Sequence, residues 1–142
     1  MLINKPVLTD CDLALRNESS SQLAKRGDKV IRITMRYPDL EEFSTDKDLS
    51  FSALFSSEEL TVIRAGKIEF SYKQLGYTQT NVNQAKLNRV RLKSTWTYVT
   101  PDKFESAKKL LLNDYINHLD KKHEQLQKSH SSICNLLAGI IK

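Results

Sequence analysis

Between Val30 and Tyr37 the side chains alternate without a break. Ile31, Ile33, Met35 and Tyr37 fall on one parity, and Arg32, Thr34 and Arg36 on the other. A two-residue period puts successive side chains on opposite faces, so this stretch must be a half-buried β-strand. Pro38 ends the run because it cannot donate to a strand ladder. A different period begins at Thr100-Pro101-Asp102. Phe104, Ala107, Leu111, Leu112, Tyr115, Ile116, Leu119 and Leu126 then recur at helical spacing. Thr100 caps that helix, Pro101 suits its first turn and Asp102 complements the dipole. The spacing predicts a helix to Gln127 or Lys128. A separate short helix follows, capped by Ser131 or Ser132, with Ile133, Leu136, Leu137, Ile140 and Ile141 on one face, which is expected to fold back onto the core rather than dock on a second copy. A chain holding both periods buries a sheet face beneath a helix, which makes the fold class α+β.

The remaining elements are shorter. A unit opened by Thr9 or Asp10 runs to Arg26 and stops at Gly27; Asn17-Glu18-Ser19-Ser20-Ser21 weakens its middle, so it reads as two short helices or as a helix followed by a loop. Leu49, Phe51, Ala53 and Phe55 alternate as a short strand would. Ser56 and Glu59 stand in capping-box spacing before Leu60, Val62, Ile63 and Ala65, which reads as a short helix ended by Gly66. Two more strands are expected. In one, Ile68, Phe70 and Tyr72 oppose Glu69, Ser71 and Lys73. In the other, Val90, Leu92, Trp96 and Tyr98 oppose Arg89, Arg91, Lys93, Thr95 and Thr97. Gly76 to Asn88, rich in Asn, Gln and Thr, reads as a long exposed connection. The expected architecture is a small antiparallel sheet of three or four strands with helices packed mainly on one face.

The 142 residues suit a single domain, and 39% hydrophobic residues against 27% charged suffice for a real core. The longest apolar region, Ile133 to Ile141, falls far short of the roughly 20 residues that span a bilayer. No secretory signal pattern opens the chain, and Cys11 and Cys134 are expected as free thiols, which together suggest a cytoplasmic protein and no membrane partner.

Charge is unevenly spread. Residues 1–71 hold ten Lys/Arg and twelve Asp/Glu, whereas residues 72–142 hold twelve and five, a net of +7. No acidic residue lies between Glu69 and Asp102, while Lys73, Lys86, Arg89, Arg91 and Lys93 all do. If the strands share one sheet, its polar face presents Arg32, Arg36, Lys73, Arg89, Arg91 and Lys93 against the single acid Glu69. Such a face tracks a phosphate backbone, and the amide-rich stretch Tyr77–Gln84 could pair with base edges. A solvated antiparallel sheet carries the same residue types without any ligand. By their parity, Trp96 and Tyr98 belong to the core.

Catalytic and metal chemistry find little footing. Cys11 lies between Asp10 and Asp12, which oppose thiolate formation. Asp114 and His118 stand one helical turn apart as an incidental pair. His123, His130 and Cys134 would align on an unbroken helix, but no fourth zinc ligand is evident. The carboxylate pairs Glu41-Glu42 and Glu58-Glu59 read as loop and helix-start charge. Four scattered glycines supply no phosphate-cradling loop, and no motif calls for a cofactor. The reading is therefore a non-catalytic binding protein. Its partner is nucleic acid, DNA or RNA, or an acidic protein surface, met by Arg32, Arg36, Lys73, Lys86, Arg89, Arg91 and Lys93. The alternative is a protein-interaction module such as a small regulator, inhibitor or immunity-type protein, homodimeric through its last helix.

Overall fold

The computed structural model describes residues 5–16, 23–38, 54–73 and 79–141. Helix α1 (Asp10–Ala14) precedes strands β1 (Lys29–Met35), β2 (Phe55–Ala65), β3 (Glu69–Lys73), β4 (Gln79–Asn83) and β5 (Trp96–Val99), and helix α2 (Phe104–Ile141) completes the order. All pairings are antiparallel, in the spatial order β4-β3-β2-β1-β5. The α+β class holds, but the sheet has five strands rather than three or four. The two additions are β2 and β4.

β2 replaces the helix expected over Leu60–Ala65. Leu60 and Val62 are buried at a two-residue spacing, and the β-branched run Thr61-Val62-Ile63 is stiff in a way that suits a pleated surface. β4 replaces part of the expected connection. It is an edge strand in which only Val82 is buried, so it lacks the alternation that would betray it. Leu49, Phe51 and Ala53 lie outside the described residues, and Phe55 opens β2. Thr9 does cap α1, in a reciprocal box with Asp12, and the helix ends at Ala14; residues 17–22, in the middle of the expected unit, lie outside the described residues. Gly27, at φ 91, makes the turn into β1, and its N–H reaches the carbonyl of Val62.

α2 runs for 38 residues without the break expected near Lys128. Its first turns cover one sheet face. Ala107, Leu110 and Leu111 are fully buried there against Ile33, Met35, Phe55 and Val99. Burying a leucine or isoleucine side chain in this way contributes roughly 1.5–3 kcal/mol relative to exposure. From Lys122 onward its side chains are almost all exposed.

The opposite face is not a solvated one. Val30, Leu60, Val62, Phe70, Tyr72, Val82, Leu87 and Tyr98 form a second core on it. Register explains the difference from expectation. Tyr98 lies opposite Arg32, and Thr97 opposite Ile33, so the apolar parity of β5 shares Arg32's face. Because side chains alternate, a one-residue offset moves a whole apolar set to the other side.

Candidate anion-binding cleft

β4 and β5 are the two outer strands of the sheet, yet residues of both line one cleft of about 550 Å³. The sheet must curl to bring its edges together around the second core. The chain from Gln84 to Thr95 joins these edges, and three residues fix its path. The buried Gln84 amide accepts from the Ala24 N–H at 3.0 Å and donates to the carbonyls of Ala24 and Gly66, at 3.0 and 3.1 Å. Leu87 is fully buried in the second core. Asn88, at φ 59, donates its N–H to the carbonyl of Tyr98, and its side-chain oxygen accepts from the N–H of Thr100, both at 2.8 Å. Asparagine tolerates this left-handed geometry because its short polar side chain bonds locally.

That path gathers Lys86, Arg89, Arg91 and Lys93 along the cleft, with Trp96 and Tyr98 beside them and no Asp or Glu among the described lining residues. Lys86, Arg91 and Lys93 are exposed, and Arg89 is half-buried with its Nε unsatisfied. Lys93 is itself held at φ 67, a conformation that side chains other than glycine and asparagine adopt at a cost. Asn81 and Asn83 complete the β4 side. Both amides have protein partners already, the Ser71 hydroxyl for Asn81 and the Ala85 N–H for Asn83.

Beneath the cleft lies a polar cluster inside the second core. Arg32 is only 6% exposed. Its guanidinium meets the Glu58 carboxylate at 2.5 Å and donates to the Tyr72 hydroxyl at 3.1 Å. That hydroxyl lies 3.2 Å from the hydroxyl of Tyr98. Arg32 also stacks 4.5 Å from the centre of the Trp96 ring. Burial opposes the charge on Arg32, but the Tyr72 hydrogen bond and the Glu58 charge outweigh it and raise its pKa. Burial, followed by the bond to Tyr72, pushes the Tyr98 phenol well above its ordinary value. Arg32 therefore serves as a permanently charged strut that fixes the inner face of Trp96.

The seven basic residues expected on one sheet face thus part company. Lys86, Arg89, Arg91 and Lys93 come together, on an irregular segment rather than on the strand expected from Arg89 to Tyr98. Arg32 is buried and engaged. Arg36 is exposed just past β1, its N–H on the carbonyl of Leu54. Lys73 ends β3 on the parity of Glu69 and Ser71, opposite to Tyr72. Of the amide-rich stretch, Tyr77 and Thr78 lie outside the described residues. Tyr98 is buried as expected, but Trp96 is 43% exposed. Sequence reasoning missed Glu58 and Tyr72 as partners of Arg32, because it assigned Glu58 to a helix start.

Other candidates resolve differently. Asp114 pairs with Arg16 at 2.5 Å, and burial, partly offset by that cation, raises its pKa. His130 and Cys134 stand one turn apart, Nε2 to Sγ 3.8 Å. Among the described residues no three His, Cys, Asp or Glu side chains gather as a metal site. Cys11 and Cys134 are both free and exposed. No described helix is long and apolar enough to cross a membrane. Comparison with protein-family models, curated proteins and solved structures finds no match for this chain.

Proposed function

We propose that this chain is a non-catalytic binding protein whose cleft takes a single-stranded nucleic-acid segment. The observation that carries this reading is the lining: four cations, no acid, and a partly exposed tryptophan braced from behind. Lys86, Arg89, Arg91 and Lys93 contact phosphates, and the exposed part of Trp96 offers a surface for a base. Stacking of this kind is sequence-tolerant, because every base has a π-face. A cleft of about 550 Å³ suits one or two nucleotides rather than a duplex.

Trp96 is the chain's only tryptophan, so its fluorescence reports occupancy directly. Titration with single-stranded oligonucleotides should quench it. Four phosphate contacts predict a slope of log affinity on log salt of about −3, hence a roughly 50-fold loss between 50 and 200 mM salt. The double substitution Arg89→Glu/Arg91→Glu should halve that slope and cost at least about tenfold in affinity at low salt. No quenching at 50 mM salt, or an unchanged slope in the double variant, would overturn the proposal.

A further inference from the structure

Because α2 is unbroken, residues that looked scattered come into register along its projecting half. Ile116, Leu119, His123, Leu126, His130, Ile133, Leu137 and Ile140 follow one another at alternating spacings of three and four. This is a 3.5-residue repeat, the period that keeps a seam facing a partner along a left-handed supercoil. Leu119 is the last residue of this series that packs on the helix-side core, so the seam begins where the domain contact ends.

Within the series, Leu119, Leu126, Ile133 and Ile140 occupy one core position. Ile116, His123, His130 and Leu137 occupy the other. The opposite side is polar, with Lys121, Gln125, Lys128, Ser132 and Asn135. Leu126, Ile133, Leu136, Leu137 and Ile140 are each more than half exposed, from 53% to 77%. Together they present on the order of 500 Å² of apolar surface, as much as the largest patch on a typical monomer. Two copies joined there would bury about 1,000 Å², the threshold of a specific interface.

Two features point to a second copy as the partner. Beyond Lys122 the positions flanking the seam are Gln127, Ser129, Cys134 and Leu136, so identical helices meet without opposing like charges. In addition, this half of the helix contains Ser129, Ser131, Ser132, Asn135 and Gly139, all weak helix formers. A segment of about 20 residues with that composition needs tertiary or quaternary packing to stay helical in water.

We propose that the projecting half of α2 pairs with the same segment of a second copy in a two-stranded coiled coil. His123 and His130 are its two polar core layers. Polar residues at such positions specify pairing and weaken it, so the dimer is reversible by construction.

Sedimentation equilibrium of the full chain is the test. A dimer of twice the 16.3 kDa chain mass is expected at micromolar concentrations. Leu126→Glu/Ile133→Glu should raise the dissociation constant at least about 100-fold, whereas Gln125→Glu/Ser132→Glu, with the same added charge on the polar side, should change it by less than about threefold. His123→Leu/His130→Leu should tighten the dimer by at least about tenfold. All six positions are exposed beyond the cores, and near-ultraviolet circular dichroism confirms that each variant keeps its fold. A wild-type chain that stays monomeric to about 100 μM overturns the proposal. So does a dimer that survives the seam substitutions, or one that the histidine replacements leave unchanged.

Discussion

The Arg32–Glu58 pair is asymmetric, and removing either partner should show it. The Arg32 side chain is 7% exposed and that of Glu58 is 53% exposed. Glu58→Gln keeps the shape but removes the charge that compensates a buried cation. At an effective dielectric constant near 20, two unit charges 4 Å apart interact by about 4 kcal/mol. Solvent on the exposed side of Glu58 screens part of this, so the expected cost is about 2 kcal/mol. Arg32→Met removes the buried charge altogether. The remaining carboxylate is half in water, and the methionine refills much of the space. The losses are the hydrogen bond to Tyr72 and the stack on Trp96, offset by relief of desolvation, for a net cost of about 1 kcal/mol. With Arg32→Met already present, Glu58→Gln should cost almost nothing. Urea denaturation of the four proteins measures this cycle, and Glu58→Gln alone should lower Tm by roughly 6–8 °C. The reasoning fails if Glu58→Gln costs less than about 0.5 kcal/mol, or if Arg32→Met costs more than Glu58→Gln.

Three further outcomes are expected. Lys93→Gly should raise stability by about 0.5–1 kcal/mol in urea denaturation, because glycine accepts φ 67 freely, while weakening oligonucleotide binding in the Trp96 fluorescence assay. Gln84→Leu should cost about 3 kcal/mol by the same denaturation, since the buried backbone N–H and C=O of Ala24 both lose their side-chain partner. Asp12 is held at about 2, below its usual 3.8, by hydrogen bonds from Ser106 and the Thr9 backbone and by nearby Lys109. Its contribution is therefore present above pH 4 and lost as pH falls from about 4 to 2. Asp12→Asn should flatten that part of a stability–pH curve, at a cost of about 2 kcal/mol at neutral pH.

How much of this was legible depended on how strongly each element declared its period. β1 and the first part of α2 are backed by unbroken repeats and both form there, although β1 ends at Met35, and α2 starts at Phe104 after a 3-10 turn over Pro101–Lys103 that the Thr100 side chain does not cap. β2 went unread because Ser56 and Glu59 happen to match a capping box, and because Leu60 and Ile63 also suit helical spacing. The β-branched run between them was the better signal. β4 gave none, being a polar edge strand. The face assignment was out of reach for a different reason. Which side a strand shows is fixed by the register of its neighbours, and no strand carries that information alone. For the cleft, the cations were visible as the acid-free interval from Glu69 to Asp102. Their convergence was not, since it depends on the curl of the sheet and on two left-handed residues, Asn88 and Lys93.

The strand order also sets a timetable for folding. β1 to β4 pair as consecutive neighbours, and such contacts close early. β5 comes last and must return to β1, setting Val99 against Ile31 across more than sixty intervening residues. α2 follows β5 in the chain and lays Ala107, Leu110 and Leu111 over Ile33 and Met35. On the ribosome, the four-stranded meander therefore shows its apolar helix side until roughly residue 115 has left the exit tunnel, and a chaperone would find its binding surface there.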